Sequence, residues 1–316
     1  MSSAFDRPLP RAGDVYPSRF AAFPRLIQRQ DPILYAEEPA HTSSSCLSQE
    51  QLTAHEEQGF LFFPALFSAL EVDFLRLELA RLAEHPDADT RPEFVWEPNS
   101  RSLRSVFGCH RLSDVFATLC CDPRLLRRVK AILAGDVYVH QSRVNYKPGC
   151  HGEAYFWHSD FENEHVEDGL PHMRALSVSI FLHENTLFNG PLMLIPGSHR
   201  WYVSCVGKTP NDHWKQALRA QSIGCPDFAS LQRLVEMGGI VAPTGPAGSV
   251  LLFDCNTMHG SNSNISPLPR SNAFFVYNSV HNLPEAPFSG QEPRPEFLAT
   301  RSDFSPLLPK ELKVEQ

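Results

Sequence analysis

None of the eight cysteines, at positions 46, 109, 120, 121, 150, 205, 225 and 255, stands in a Cys-x-x-Cys spacing, which speaks against a zinc ribbon or a dithiol redox motif. Thiols scattered in this way read as the free thiols of a reducing compartment. Cys120-Cys121 reads as two adjacent buried helix residues rather than a vicinal disulfide. No apolar run approaches the roughly 18 residues of a membrane-spanning helix. The N-terminal Met1-Ser-Ser-Ala-Phe-Asp-Arg7 also lacks the apolar core of a signal peptide. Both absences point to a cytoplasmic protein with no membrane partner. Positive charge is short as well: Lys and Arg number 28 against 36 Asp and Glu, a formal net charge of −8, which argues against nucleic acid as a partner. Neither an internal repeat nor a low-complexity block is visible. What is there suffices for a globular protein with a sizeable core, since 42% of the 316 residues are hydrophobic and 20% charged.

Residues 1–46, with many Pro, Arg and Ser and little periodicity, read as an irregular arm that packs on the surface or frays. Ser48 with Gln51, and Ser68 with Glu71, carry capping-box signatures. The first predicts a helix ending near Gly59, followed by a strand over Phe60-Leu-Phe-Phe-Pro64; the second opens a helix whose apolar stripe is Val72, Leu75, Leu79 and Leu82. Asp122-Pro123 starts a third helix, running to about Leu133. From Gly135 to about 280 short β-like runs dominate: 137–146, 175–182, 192–195, 240–242, 249–253 and 273–277. Two helical pieces interrupt them, one after Thr209-Pro210 to about Gln221, the other from Asp227 to about Met237. This order predicts a mainly β fold with flanking helices and a double-stranded β-helix (jelly-roll, cupin-like) core. It forms one catalytic domain over 47–283, with helical support over 47–135 and a Pro-rich, wrapping or loose tail over 284–316.

The apolar, aromatic run Tyr155-Phe-Trp-His-Ser-Asp-Phe161 ends by presenting His158 and Asp160. In an extended strand, residues i and i+2 share a face, so these two would project side by side with Ser159 turned away. An imidazole and a carboxylate make two-thirds of a two-histidine, one-carboxylate metal face, the nest of non-haem Fe(II) oxygenases. His259 is the best third member, because it follows the strand-like Leu251-Leu-Phe-Asp254 at a polar turn. Arg270, at the head of a second aromatic run, can reach back and grip a carboxylate bidentately. Gln141 and Asn145, four apart in one strand, project on the same face as donors and acceptors, or are ordinary polar strand residues. Phe253 and Phe274 read first as core. The His-to-acid spacing recurs at His85-Pro-Asp87, His55-Glu-Glu57, His151-Gly-Glu153 and His165-Val-Glu167, where it reads as solvated loop or helix. His140 reads as a satisfied core histidine. Cys255 near His259 has no second pair, which puts zinc behind iron.

His158-Ser-Asp160 with His259 and Arg270 resembles the Fe(II)/2-oxoglutarate dioxygenases of the phytanoyl-CoA hydroxylase type. Longer stretches narrow the likeness: Asp136 to Gly149, Trp157-His-Ser-Asp-Phe-Glu162, Asn189-Gly-Pro-Leu-Met193, Pro196-Gly-Ser-His199 and Phe253 to Asn262 look like the ectoine hydroxylases, over about Val15 to Arg301. The resemblance implies that His158, Asp160 and His259 hold Fe(II) and that Arg270, Ser261, Asn145 and Tyr155 bind 2-oxoglutarate, with O2 as the other cosubstrate. It also implies that Gln141, Ala175, Phe253 and Phe274 line the pocket for a small zwitterion, ectoine foremost. One departure matters. The family's Thr-Trp after His-Ser-Asp-Phe-Glu, which helps hold the ectoine ring, is here Asn163-Glu164. Glu164 can pair with a cationic amidine or ammonium group, or point into water and leave the pocket open. The first alternative widens the substrate to another small cyclic amino acid or zwitterion. Two other classes stay open: a non-catalytic jelly-roll sensor, and a lyase or isomerase with zinc or manganese. The sequence leaves room for a homodimer.

Overall fold

In the computed structural model, which describes residues 10–20, 23–35, 46–218 and 222–314, both capping boxes form. Ser48 Oγ accepts from Gln51 N and Gln51 Oε1 from Ser48 N, opening α1 (Gln49–Gln58), which Gly59 ends in a left-handed turn at φ 84°. Ser68 and Glu71 do the same for α2 (Ala69–Ala83), whose Val72, Leu75, Leu79 and Leu82 are buried. Between them runs β2 (Phe60–Phe63). Next come β3 (Phe94–Trp96), β4 (Leu103–Phe107), α3 (Cys109–Leu112), α4 (Asp114–Leu119) and α5 (Pro123–Leu133), the last capped by Asp122 with Pro at its first turn. The strands that follow are β5 (Val137–Asn145), β6 (Tyr155–His158), β7 (Ala175–Phe181), β8 (Leu192–Leu194), β9 (Trp201–Ser204), β10 (Val250–Asp254), β11 (His259–Ser261) and β12 (Asn272–Ser279).

Seven strands make the larger sheet, in the order β2-β10-β7-β12-β5-β4-β3, and three make the smaller, β6-β11-β8; all their pairings are antiparallel. Alternation assigns the faces. Ala273, Phe275 and Tyr277 of β12, with Val178 and Ile180 of β7 and Val250 and Leu252 of β10, join the apolar stripes of α2 and α5. The opposite faces give Phe181, Leu251, Phe253 and Phe274, which pack with Leu192 and Leu194 of the smaller sheet. The result is the jelly roll with helices on its outer face.

Several readings change here. Residues 240–242 form no strand; Val241 makes a single bridge to Leu194. The helix after Pro210 is short, His213–Ala217, and residues 219–221 lie outside the described residues. The Asp227-capped helix forms over Phe228–Gly238. His55 and His165 are buried rather than solvated, and burial pulls His55 down to about 4. Cys120 and Cys121 follow α4 with their sulfurs 4.0 Å apart, and none of the eight cysteines forms a disulfide.

The arm is not irregular throughout. Residues 1–9 and 36–45 lie outside the described part, but Arg25–Gln28 (β1) pairs antiparallel with β9. Arg19, almost fully buried, donates through Nε and Nη2 to Glu162 (3.0 and 2.6 Å), through Nη1 to Glu167 (2.6 Å) and through Nη2 to Asn163 (2.8 Å). The tail wraps in a like manner: Arg294 grips Asp168 (Nε to Oδ1 2.7 Å), whose other oxygen lies 3.0 Å from His140 Nε2, while Leu298 and Ala299 are buried. Arm and tail therefore clamp the segment that follows β6. Replacing Arg19 by Met leaves Glu162 and Glu167 buried without their cation, and a loss of about 3–5 kcal/mol in urea unfolding is expected. Burial raises the Glu167 carboxyl, but His213 and Arg19 outweigh it and hold it at about 2. Its contribution is therefore present at neutral pH and lost as the pH falls through about 2.

Candidate active site

Register brings the two distant histidines together. His259 of β11 stands directly opposite His158 of β6, with ring centroids 4.3 Å apart. The close approach depends on Gly260, where a Cβ would lie 3.1 Å from the Tyr155 carbonyl oxygen. Asp160 reaches the same point differently from the sequence reading. The strand ends at His158, Ser159 is an extended N-cap (φ −105°, ψ 143°), and Asp160 opens the short helix Asp160–Asn163 (α6). Its Oδ1 lies 3.7 Å from the Nε2 of both histidines.

The donors suit one metal ion. His158 Nδ1 lies 2.7 Å from the Phe156 carbonyl and His259 Nδ1 2.9 Å from that of Thr257. A carbonyl only accepts, so each ring carries its proton on Nδ1 and turns the Nε2 lone pair inward. Ser177 Oγ donates to Asp160 Oδ2 at 2.6 Å, leaving Oδ1 for a metal. Burial, then His259, pulls His158 down to about 3, and burial likewise lowers His259. Burial raises Asp160, yet the charges of His259, Arg143 and His158 outweigh it and hold it at about 2. Two neutral imidazoles and one carboxylate form a donor set for a divalent iron ion.

A cavity of about 980 Å³, open to solvent at its mouth, lies over this trio. Asn145, Tyr155, Ser261 and Arg270 line one end. Arg270 is 1% exposed, its Nε and Nη2 donate to the Gly190 carbonyl (3.1 and 2.6 Å), and it has no carboxylate partner among the described residues. Burial pulls it down to about 10. Gly190 holds φ 69° here, with Asn262 O 2.5 Å from where a Cβ would stand, so only glycine fits. Lys147 is a second buried cation; its Nζ donates to Ser261 Oγ at 2.8 Å. Asn145 Oδ1 accepts from Ser105 (2.9 Å), whose hydroxyl lies 3.2 Å from that of Tyr155.

Gln141, Phe274, Asn163 and Glu164 line the rest of the cavity, with Arg143, Glu167, Trp214, Leu218 and Arg294. Ala175 and Phe253 lie outside that lining. Ala175 packs with Phe161 and Val276, and Phe253 backs His259 at 4.9 Å between ring centroids. Glu164 does not point into water; it is 2% exposed, in the wide turn Glu164–Asp168. Sequence reasoning missed Arg143, although it alternates with Gln141 and Asn145 on one face of β5. It sits opposite Phe274 in register, 4.7 Å from the ring centroid, donates to Gln141 Oε1, and forms no ion pair among the described residues. Ser177 was missed too, and its signal was a hydroxyl inside the apolar β7.

On a jelly roll, a face of two histidines and a carboxylate is the ground of non-haem iron oxygenases, and the unpaired arginine across the cavity supplies the anchor that a dicarboxylic cosubstrate needs. The class is thus a non-haem Fe(II)/2-oxoglutarate-dependent dioxygenase. The profile of the phytanoyl-CoA dioxygenase (PhyH) family matches residues 55–272, and the chain belongs to that family. It is 51% identical to the ectoine dioxygenase of Bordetella parapertussis over 298 residues, covering 94% of this chain and 96% of the relative. With the ectoine dioxygenase of Stutzerimonas stutzeri it shares 49% over 294 residues, covering 93% and 96%. The crystal structure of EctD from S. alaskensis with 2-oxoglutarate and 5-hydroxyectoine superposes with a TM-score of 0.85 at 46% identity, covering 94% of this chain and 98% of that one. The carbocyclase SnoK from nogalamycin biosynthesis, 21% identical at a TM-score of 0.57 over 76% of this chain and 87% of its own, shares the fold. Fe(II), 2-oxoglutarate and O2 are the metal and cosubstrates of this enzyme. Its membership in a family of enzymes leaves the sensor and zinc-lyase readings without support. Among the described residues no helix is long and apolar enough to cross a membrane.

Proposed function

We propose that this enzyme hydroxylates ectoine to 5-hydroxyectoine, releasing succinate and CO2. The reading rests on the relatives named ectoine dioxygenase and, in the structure, on one observation above all: the Arg143 guanidinium faces the cavity beside the metal trio with no carboxylate partner among the described residues. When bound, iron with 2-oxoglutarate supplies the oxidising power, drawn from O2, to replace a substrate C–H by C–OH. The chain supplies placement. His158, Asp160 and His259 hold the metal. Arg270, with Ser261, Asn145 and Tyr155, receives 2-oxoglutarate, the guanidinium meeting the far carboxylate. Arg143, oriented by Gln141, receives the substrate carboxylate beside the apolar face of Phe274, and Phe253 and Ala175 back that wall. Replacing Arg143 by Ala should raise the substrate KM by about 100-fold, with the KM for 2-oxoglutarate little changed, because a buried charge pair loses one member.

The test is incubation of the Fe(II)-loaded enzyme with 2-oxoglutarate and ectoine, following succinate and product mass. Ectoine-dependent succinate with a product heavier by one oxygen atom is expected; succinate formation indifferent to ectoine refutes the substrate. Asn163 and Glu164 in the lining favour a second reading, the same chemistry on another small cyclic amino acid or zwitterion. The proposal includes a cytoplasmic location, supported by eight cysteines none of which forms a disulfide, and a homodimer, for which exposed Leu187 and Phe188 offer apolar surface and sedimentation velocity is the check.

A further inference from the structure

Among the described residues, Glu164 is the cavity-lining acid with a buried carboxyl oxygen that no hydrogen bond supports. It is 2% exposed, and its Oε2 has no hydrogen-bond partner among the described residues. The other acids on the lining are engaged: Asp160 by Ser177 and the histidine pair, Glu167 by Arg19 and His213. Two guanidinium groups share the cavity with Glu164, but neither pairs with it. Arg294 is taken by Asp168, and Arg143 by Gln141 and the Phe274 ring. A buried carboxyl oxygen without a partner is costly to the fold, and a ligand that brings an N–H donor relieves that cost when it binds. The wide, π-helical turn that carries it, Glu164–Asp168, is a feature that recurs at functional sites.

We propose that Glu164 is the subsite for a cationic N–H group of the substrate, paired across the cavity with Arg143 for the carboxylate. The two residues then select small zwitterions in which a carboxylate and an amidinium or ammonium nitrogen are held on one rigid frame. A neutral ring of the same size leaves Glu164 buried and unpaired and is rejected for that reason. This rests on the reading of the site as that of a small-zwitterion hydroxylase, and it assigns the specificity to a residue of this chain.

The experiment uses the Fe(II)- and 2-oxoglutarate-loaded enzyme and its Glu164→Gln variant, which keeps the shape and removes the charge. The panel comprises ectoine, cyclic amino acids with a protonated ring nitrogen, and carbocyclic carboxylic acids of matching size. Wild type is expected to couple succinate formation to the cationic compounds alone. In the variant the KM for the compound that wild type prefers should rise at least about 10-fold, while that for 2-oxoglutarate stays within about twofold. Calorimetry should show the compound that wild type prefers binding at least about 10-fold more weakly to the variant. If ectoine is inert but another zwitterion is turned over and loses affinity in the variant, the named substrate fails and the Glu164 assignment stands. The assignment is overturned if ectoine serves both proteins equally, if the carbocyclic acids match the zwitterions, or if no cationic compound binds.

Discussion

Asp160→Ala is expected to lose stoichiometric Fe(II) and to lower turnover by about 1,000-fold or more. Both imidazoles converge on Asp160 Oδ1, at 3.7 Å each, and both are neutral, so the carboxylate is the only negative charge among the three ligands. Its removal leaves two uncharged donors, which hold a divalent ion weakly. The fold should persist, because Asp160 opens a helix that Ser159 caps through the Glu162 N–H and that Arg19 ties down through Glu162. Ser177→Ala provides a graded comparison. It keeps all three ligands and removes only the hydroxyl that orients the carboxylate, so a loss of about 10–100-fold in metal affinity is expected. Metal content after anaerobic loading, with circular dichroism as the folding control, checks both. Full iron in the Asp160→Ala protein would mean that other residues hold it.

The second large effect is on the cosubstrate. Arg270→Ala should raise the KM for 2-oxoglutarate by about 100-fold, with a smaller change in the substrate KM. Arg270 is a fully buried cation whose visible partner is the Gly190 carbonyl, and Lys147, whose backbone carbonyl accepts from the Arg270 N–H, is likewise without an ion pair among the described residues. Such a cluster of positive charge is costly until an anion joins it. Arg270→Lys keeps the charge but not the planar fork that meets both a carbonyl and a carboxylate, and should fall between wild type and the alanine variant. Steady-state kinetics with 2-oxoglutarate varied at saturating Fe(II) decides the matter.

How much of this was legible beforehand follows from the range of the interactions involved. Capping boxes are local, so Ser48 with Gln51 and Ser68 with Glu71 fixed two helix starts directly. Period-two alternation found the long strands β5, β7 and β12, and apolar runs marked the short β2 and β8, but β3 and β9 went unassigned. His158, Asp160 and His259 stood out because polar ligands ending apolar runs are conspicuous, although the route of Asp160 to the site through an N-cap was not. Arg143 was hidden by its company: β5 was read for its amides, and a charge inside a strand passes for surface. The segment that carries Glu164 is held by Arg19, more than a hundred residues earlier, through Asn163, and by Arg294, far along the tail, through Asp168, which no local pattern relates to it.

The measurement that bears most directly on the whole account is turnover under isotopically labelled O2 with ectoine present. The account predicts one labelled oxygen atom in each succinate formed, label in the hydroxylated product, and equal amounts of the two. Unlabelled succinate, or a product whose new oxygen comes wholly from water while succinate accumulates without it, would contradict it.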